Sequence, residues 1–209
     1  MRNGLLEAIR KFNSKERFFL VGYVLGNTRF SVSSQFRTAL SNRLNVPIPD
    51  DLFCAMDYHL DWLYAALQVS TDSNKEAIYN NGNGIIKANQ EDIDLLLAYE
   101  GQDGCHLILV EAKATTGWNN KQMKSKAERL KKIFGEDGSK WAGVTPHFVL
   151  MSPGRPQCLI TSDCPSWMVP GEKWLWMRLE IPDDLNRVTR CDSDGKPCDG
   201  GTFWKVAKR

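Results

Sequence analysis

The sequence predicts an α/β fold with a central mixed sheet flanked by helices, and three observations carry that prediction. Leu107-Ile108-Leu109-Val110 is apolar at every position, the pattern of a central strand covered on both faces. A second β-type run, residues 92–99, precedes it across a short turn at 100–104. Segments with apolar residues at helical spacing lie before and after this pair, at 51–67 and 119–134.

The elements follow in order. Residues 14–25 come after Asn13 with Glu16 three residues on, a capping-box-like start to a short helix that Gly26-Asn27 stops. A strand over 18–25 stays an alternative. Ser33 or Ser34 caps a second helix that carries Phe36, Ala39, Leu40 and Leu44 and ends before Pro47, with Pro47-Ile48-Pro49 as a rigid connector. Asp50 or Asp51 caps a third, with Phe53, Met56, Leu60, Leu63, Tyr64 and Leu67 on its stripe. The polar stretch 71–83 reads as a loop. Strands are expected at 85–87, 92–99 and 106–113. A helix is expected at 119–134 with Met123, Ala127, Leu130 and Phe134 inward, stopped by Gly135, and then a strand at 148–151. Trp167, Trp174, Trp176 and Trp204 fall among turn signals, in short strands packing over the sheet.

With 209 residues, 42% hydrophobic and 25% charged, the chain is long enough to bury a core as one domain, 1–209. Within it, 1–50 reads as a helical elaboration, 51–152 as the core and 153–209 as C-terminal strands packing on that core. The longest apolar run near the amino end, 18–25, is too short to span a bilayer, and a charged amphipathic segment precedes it instead of a signal-peptide pattern. A cytoplasmic location is expected. Six cysteines are too sparse for a disulfide scaffold, and Cys158-x5-Cys164 and Cys191-x6-Cys198 are wider than zinc knuckles, so free thiols are expected. Net charge is only +2, so a case for nucleic acid has to come from local clustering.

Two anomalies carry chemistry. The apolar strand runs directly into Glu111-Ala112-Lys113, and alternation points Glu111 and Lys113 to one face. Asp94 interrupts the preceding strand, where a buried charge is costly unless paired or bound to a cation. If Glu100 and Cys105 close the hairpin, Asp94 lies across from Glu111. Opposed carboxylates repel, and an oxygen-preferring divalent cation between them removes the penalty, which points to magnesium. At such a site the metal polarises a phosphoryl oxygen and activates water while Lys113 orients that water or stabilises developing charge, the chemistry of phosphodiester hydrolysis. The competing reading is a structural ion triad in which Lys113 bridges the two carboxylates.

With Asp94 as first acid and Glu111-Ala112-Lys113 as the E-x-K half, residues 50–152 resemble the PD-(D/E)XK nuclease superfamily of restriction-endonuclease-like folds. The family core is a helix, a three-stranded meander, a helix and a further strand. Ile93 stands where many members have proline. The resemblance implies a magnesium ion, for which manganese substitutes, held by Asp94, Glu111 and the Ala112 carbonyl, and nucleic acid, DNA foremost, as substrate. Cutting both strands commonly recruits two copies, which keeps a homodimer among the expectations.

Two further features bear on this reading. The helix 119–134 holds Lys121, Lys124, Lys126, Arg129, Lys131 and Lys132 against Glu128 alone, so it attracts backbone phosphate, with a solvated face as the alternative. Gln122 and Lys126 are expected on the flank near Glu111, and Lys124, Lys131 and Lys132 outward. Asp57 and Asp61, read as one turn apart on the 51–67 helix, are each candidates to complete the metal site or to be solvated or lysine-paired. His59, His106 and His147 are given no chemical role.

Overall fold

The computed structural model describes residues 4–28, 30–72, 78–88, 91–114 and 116–208. Two compact units divide the chain, 1–178 and 179–209, so the boundary falls inside the segment expected as C-terminal strands. The first unit is mixed α/β: a five-stranded mixed sheet flanked by helices, as the apolar patterning predicts.

Near the amino end are α1 (Gly4–Phe12), α2 (Glu16–Phe19), a wider helical turn over Leu20–Val24, and α3 (Ser34–Leu44). The segment 16–24 is helical, so the strand alternative is excluded, and Gly26 ends it at φ 70. Asn13 does not cap it: Lys15 takes that position without a side-chain hydrogen bond, and Asn13 is buried. Ser33 does cap α3, its hydroxyl accepting from the Phe36 N–H at 3.2 Å, and Asn45 closes the helix in the left-handed region.

The helix expected over 51–67 is corrected. Phe53–His59 is strand β1, and helix α4 runs from Leu60 to Thr71. Apolar residues at 53, 56 and 60 fit a helical stripe, but 53–56 are pinned in the sheet by pairing with 95–98, and that tertiary pairing overrides local spacing. The change of direction is marked by Asp57 at φ 52, and the Leu60 N–H donates to the Glu91 carbonyl at 3.0 Å as α4 begins. The strand expected at 85–87 is absent, because the Lys87 and Ala88 N–H groups donate to the Asp61 carboxylate rather than to a ladder.

Strands β2 (Asp92–Glu100) and β3 (Cys105–Ala112) form the expected hairpin, closed by the Glu100–Cys105 pair. Gly104 is required at the turn: at φ 138, a Cβ there would meet the Gly143 carbonyl oxygen at 2.3 Å. Helix α5 (Asn120–Phe134) begins at Asn119, whose side chain accepts the Lys121 and Gln122 N–H groups, and ends at Gly135. It leads to β4 (Val144–Ser152), parallel to β3, and then to the edge strand β5 (Trp176–Arg178), parallel to β4. The sheet order is β1-β2-β3-β4-β5, with β2 antiparallel to both β1 and β3.

One sheet face carries Phe53, Ala55, Leu96, Ala98, Leu107, Leu109, Phe148 and Leu150 into a core shared with α1, α4 and α5. Met123, Ala127, Leu130 and Phe134 are the inward stripe of α5, as expected, with Ile133 added. Cys54, Leu97, Ile108, Val110 and Val149 alternate to the other face and are buried as well, so β3 is covered on both sides. Trp174 packs on Phe148 and Trp167 on Phe134.

The second unit is a two-stranded hairpin of β6 (Asn186–Cys191) and β7 (Phe203–Lys208), whose turn is held by Asp192 accepting the Asp194 and Lys196 N–H groups. Trp204 belongs to this hairpin, in β7, and is exposed. All six cysteines are free thiols. Among the described residues no helix is long and apolar enough to cross a membrane.

Candidate functional site

The β2–β3 register runs from Glu100–Cys105 to Leu95–Val110, which puts Asp94 level with Glu111 one step beyond the last ladder pair. There the Asp94 side chain replaces the ladder: its Oδ2 accepts the Ala112 N–H at 2.6 Å. Glu111 is 6% exposed at the carboxyl end of the otherwise apolar β3. Its Oε2 is ion-paired with Lys126 of α5, and its Oε1 lies 3.7 Å from the Lys113 ammonium. Lys126 also donates to the Asp92 carbonyl at 2.7 Å. Burial lifts the Glu111 carboxyl above its ordinary range; Lys126 pulls it back, Asp94 pushes it up, and Lys113 lowers it less.

These groups open onto a pocket of about 550 Å³ at the carboxyl end of β3, against the first turns of α5. Glu111, Lys113, Lys121, Gln122, Lys126 and Trp118 are among its lining residues, with Glu91 and Asp92 as further acids. Asp94 is not in the lining; from the neighbouring strand it accepts the Ala112 N–H, and its charge raises Glu111. Gln122 and Lys126 thus fall on the flank near Glu111, as helical geometry predicts. Lys126 is largely buried, and its ammonium, expected as a phosphate contact, is paired with the Glu111 carboxylate.

Asp57 and Asp61 do not share a helix face. Asp57 sits in β1, between the residues paired with Leu95 and Ile93 and so level with Asp94; its carboxylate lies 2.9 Å from Arg17, outside hydrogen-bond geometry. Asp61, in the first turn of α4, is committed elsewhere: it pairs with Arg129 and accepts the Lys87 and Ala88 N–H groups. Among the described residues no three His, Cys, Asp or Glu side chains cluster as a metal cage. Magnesium needs none, since it keeps waters and commonly takes one or two carboxylates plus substrate phosphate. Asp94 and Glu111 meet that count, and a carboxylate driven upward by burial is a group that gains from a cation.

The sequence reading did not single out Arg129 or Trp118. Arg129 is 1% exposed and holds both Asp61 and Glu91, the latter at 2.8 Å. Its signal was a charged residue inside the apolar stripe, beside Leu130 and three residues after Lys126. The outward lysines are exposed, yet Lys124 pairs with Asp163 at 3.0 Å and Lys131 with Glu136. At the opposite end of β3, Asp103, His106 and His147 form a hydrogen-bonded chain (2.8 and 3.0 Å) with Tyr99 stacked on His106.

In comparisons with known proteins, the chain matches no family model, no curated protein and no solved structure.

Proposed function

We propose that this chain is a magnesium-dependent nuclease hydrolysing phosphodiester bonds of nucleic acid, DNA foremost, on a restriction-endonuclease-like core. The observation that carries the reading is the buried Glu111 carboxylate, raised by desolvation, facing a pocket with Lys113 3.7 Å away and Asp94 level with it on the neighbouring strand. The order β1-β2-β3, α5, β4 supports the same core, with α4 inserted after the first strand. Glu111, Asp94 and the Ala112 carbonyl are the groups to hold the cation. Bound there, magnesium would supply Lewis-acid polarisation of the phosphoryl group, and manganese the same. Lys113 orients the attacking water and balances charge developing on the phosphoryl oxygens. Lys121 and Gln122 line the approach to the scissile phosphate. The proposed setting is cytoplasmic, with two copies acting where both strands of a duplex are cut.

Incubation of the full chain with supercoiled plasmid, with magnesium, with manganese and with chelator, tests this. Nicking that requires the divalent ion and disappears in Lys113→Ala and Glu111→Gln, both still folded, is the expected result. The Lys126–Glu111 ion pair favours a second reading, a binding module in which lysine permanently fills the place of the cation. Nucleic-acid binding without cleavage under either metal selects that reading.

A further inference from the structure

The pocket wall contains one aromatic side chain, Trp118, amid charged and amide groups, with Met123 the other apolar member. Trp118 stands between Lys113 and the α5 cap Asn119. Its indole N–H donates to the Ser152 hydroxyl at 3.1 Å. Ser152, 4% exposed at the end of β4, also accepts from the Trp176 indole at 3.0 Å and donates its own proton to the Gly154 carbonyl at 2.8 Å. One donor and two acceptor positions of that hydroxyl are thereby used, which fixes the edge of the Trp118 ring. The ring is also half-buried against the core. With its polar edge spent inside the protein, Trp118 offers the pocket apolar ring surface and nothing else.

We infer that Trp118 is a base-stacking platform, so that the strand entering this pocket presents an unpaired nucleotide, from single-stranded nucleic acid or a locally opened duplex. The inference deepens the nuclease reading and rests on it for the class of ligand. Phosphate alone satisfies Lys113 and Lys121 but leaves the indole unmatched. A flat base satisfies the indole, and the Gln122 amide, which can both donate and accept, lies in the same wall to meet its edge. In an intact double helix the base faces are already stacked on each other, so the platform selects against it. At about 550 Å³ the pocket has room for a nucleotide.

The test is binding of the full chain, in chelator so that nothing is cut, to three short labelled ligands at low salt. These are a single strand, an abasic strand of equal length and charge, and a blunt duplex. Fluorescence anisotropy is expected to rank the base-bearing strand at least about tenfold tighter than the other two, with Trp118→Leu lowering it to the abasic level. Equal binding of the base-bearing and abasic strands by the wild type, preference for the duplex, or no binding overturns the inference without any variant. Trp118→Phe, which keeps a ring, provides the second measurement. Strand binding quenches the wild-type tryptophan emission, and that quench is lost in Trp118→Phe; an undiminished quench there overturns the inference even if Trp118→Leu does not fold. Metal-dependent cleavage is scored separately. Base-selective, Trp118-dependent binding without cleavage removes the nuclease and leaves the platform, whereas cleavage with base-blind binding does the reverse.

Discussion

Lys126 and Arg129 lie one turn apart on α5, both buried, and they serve their carboxylates in opposite ways. Arg129 reaches Asp61 and Glu91, and the oxygens of Asp61 are further occupied by the Lys87 and Ala88 amides. That cluster ties α5 and α4 to Ile85, Lys87, Ala88 and Glu91. Lys126 takes one oxygen of Glu111, while the other faces a pocket with Lys113 at ion-pair distance and, among the described residues, no hydrogen bond. A cluster whose carboxylate is saturated by the chain holds the chain; one left open toward a cavity can exchange partners. The difference separates architecture from chemistry on a single helix.

Stability should divide along the same line. Removing the guanidinium in Arg129→Met strands Asp61 in the interior, a loss of about 3–5 kcal/mol by urea unfolding. Lys126→Met leaves Glu111 with Lys113 and pocket water, so the expected loss is smaller, within the range of a single charged hydrogen bond at about 1.5–3 kcal/mol. Equal losses, or a greater one at Lys126, would mean that both clusters are structural.

A pH series sharpens the contrast by sign, comparing the two ends of β3. Burial, with His106 adding to it, lowers His147 from 6.5 to about 4. The neutral imidazole therefore contributes stability that is full above pH 6.5 and lost as pH falls toward about 4, on the order of 3 kcal/mol. His147→Gln should remove that acid-side loss. Glu111 shifts the other way, being raised from 4.5, so its contribution is full below 4.5 and lost as pH rises through the folded value. Glu111→Gln should consequently stabilise the metal-free protein at pH 7, with the gain vanishing below pH 4.5. A Glu111→Gln protein less stable than wild type at pH 7 would show Lys126 already balancing the carboxylate in full.

Much of this arrangement was legible in the residues because strand alternation and hairpin closure are local rules. The all-apolar 107–110 run, the pairing of Glu100 with Cys105, the Ser33 cap and the Gly135 stop all follow from side-chain period and turn chemistry, and the hairpin closure puts Asp94 level with Glu111. What escaped is what distant partners decide. Residues 53–56 pair with 95–98 and so leave the helix that their spacing suggests. The amides at 87 and 88 find Asp61 instead of a strand, across 26 and 27 residues. Burial of Arg129 depends on Asp61 and Glu91 arriving from two other segments, and the anchoring of Trp118 depends on Ser152, 34 residues away. None of these contacts leaves a periodic trace.

The smallest expected effect concerns the exposed lysines of α5, whose positive charge is not evenly available. Lys124 and Lys131 are already engaged by Asp163 and Glu136 at the surface, in pairs screened by solvent. A lysine that shares its charge with a carboxylate displaces less nucleic-acid counterion than one facing a phosphate alone, because binding must first weaken the existing pair. Lys121 lines the pocket beside Gln122 and is the cation best placed to meet a backbone phosphate there. Lys121→Gln should therefore reduce the slope of log affinity against log salt by about one, uniformly across sequences. The double variant Lys124→Gln, Lys131→Gln should change the slope by less than that single substitution, despite removing twice the charge. If the double variant flattens the salt dependence more, the strand runs along the outer face of α5, and the pocket is a branch off its path.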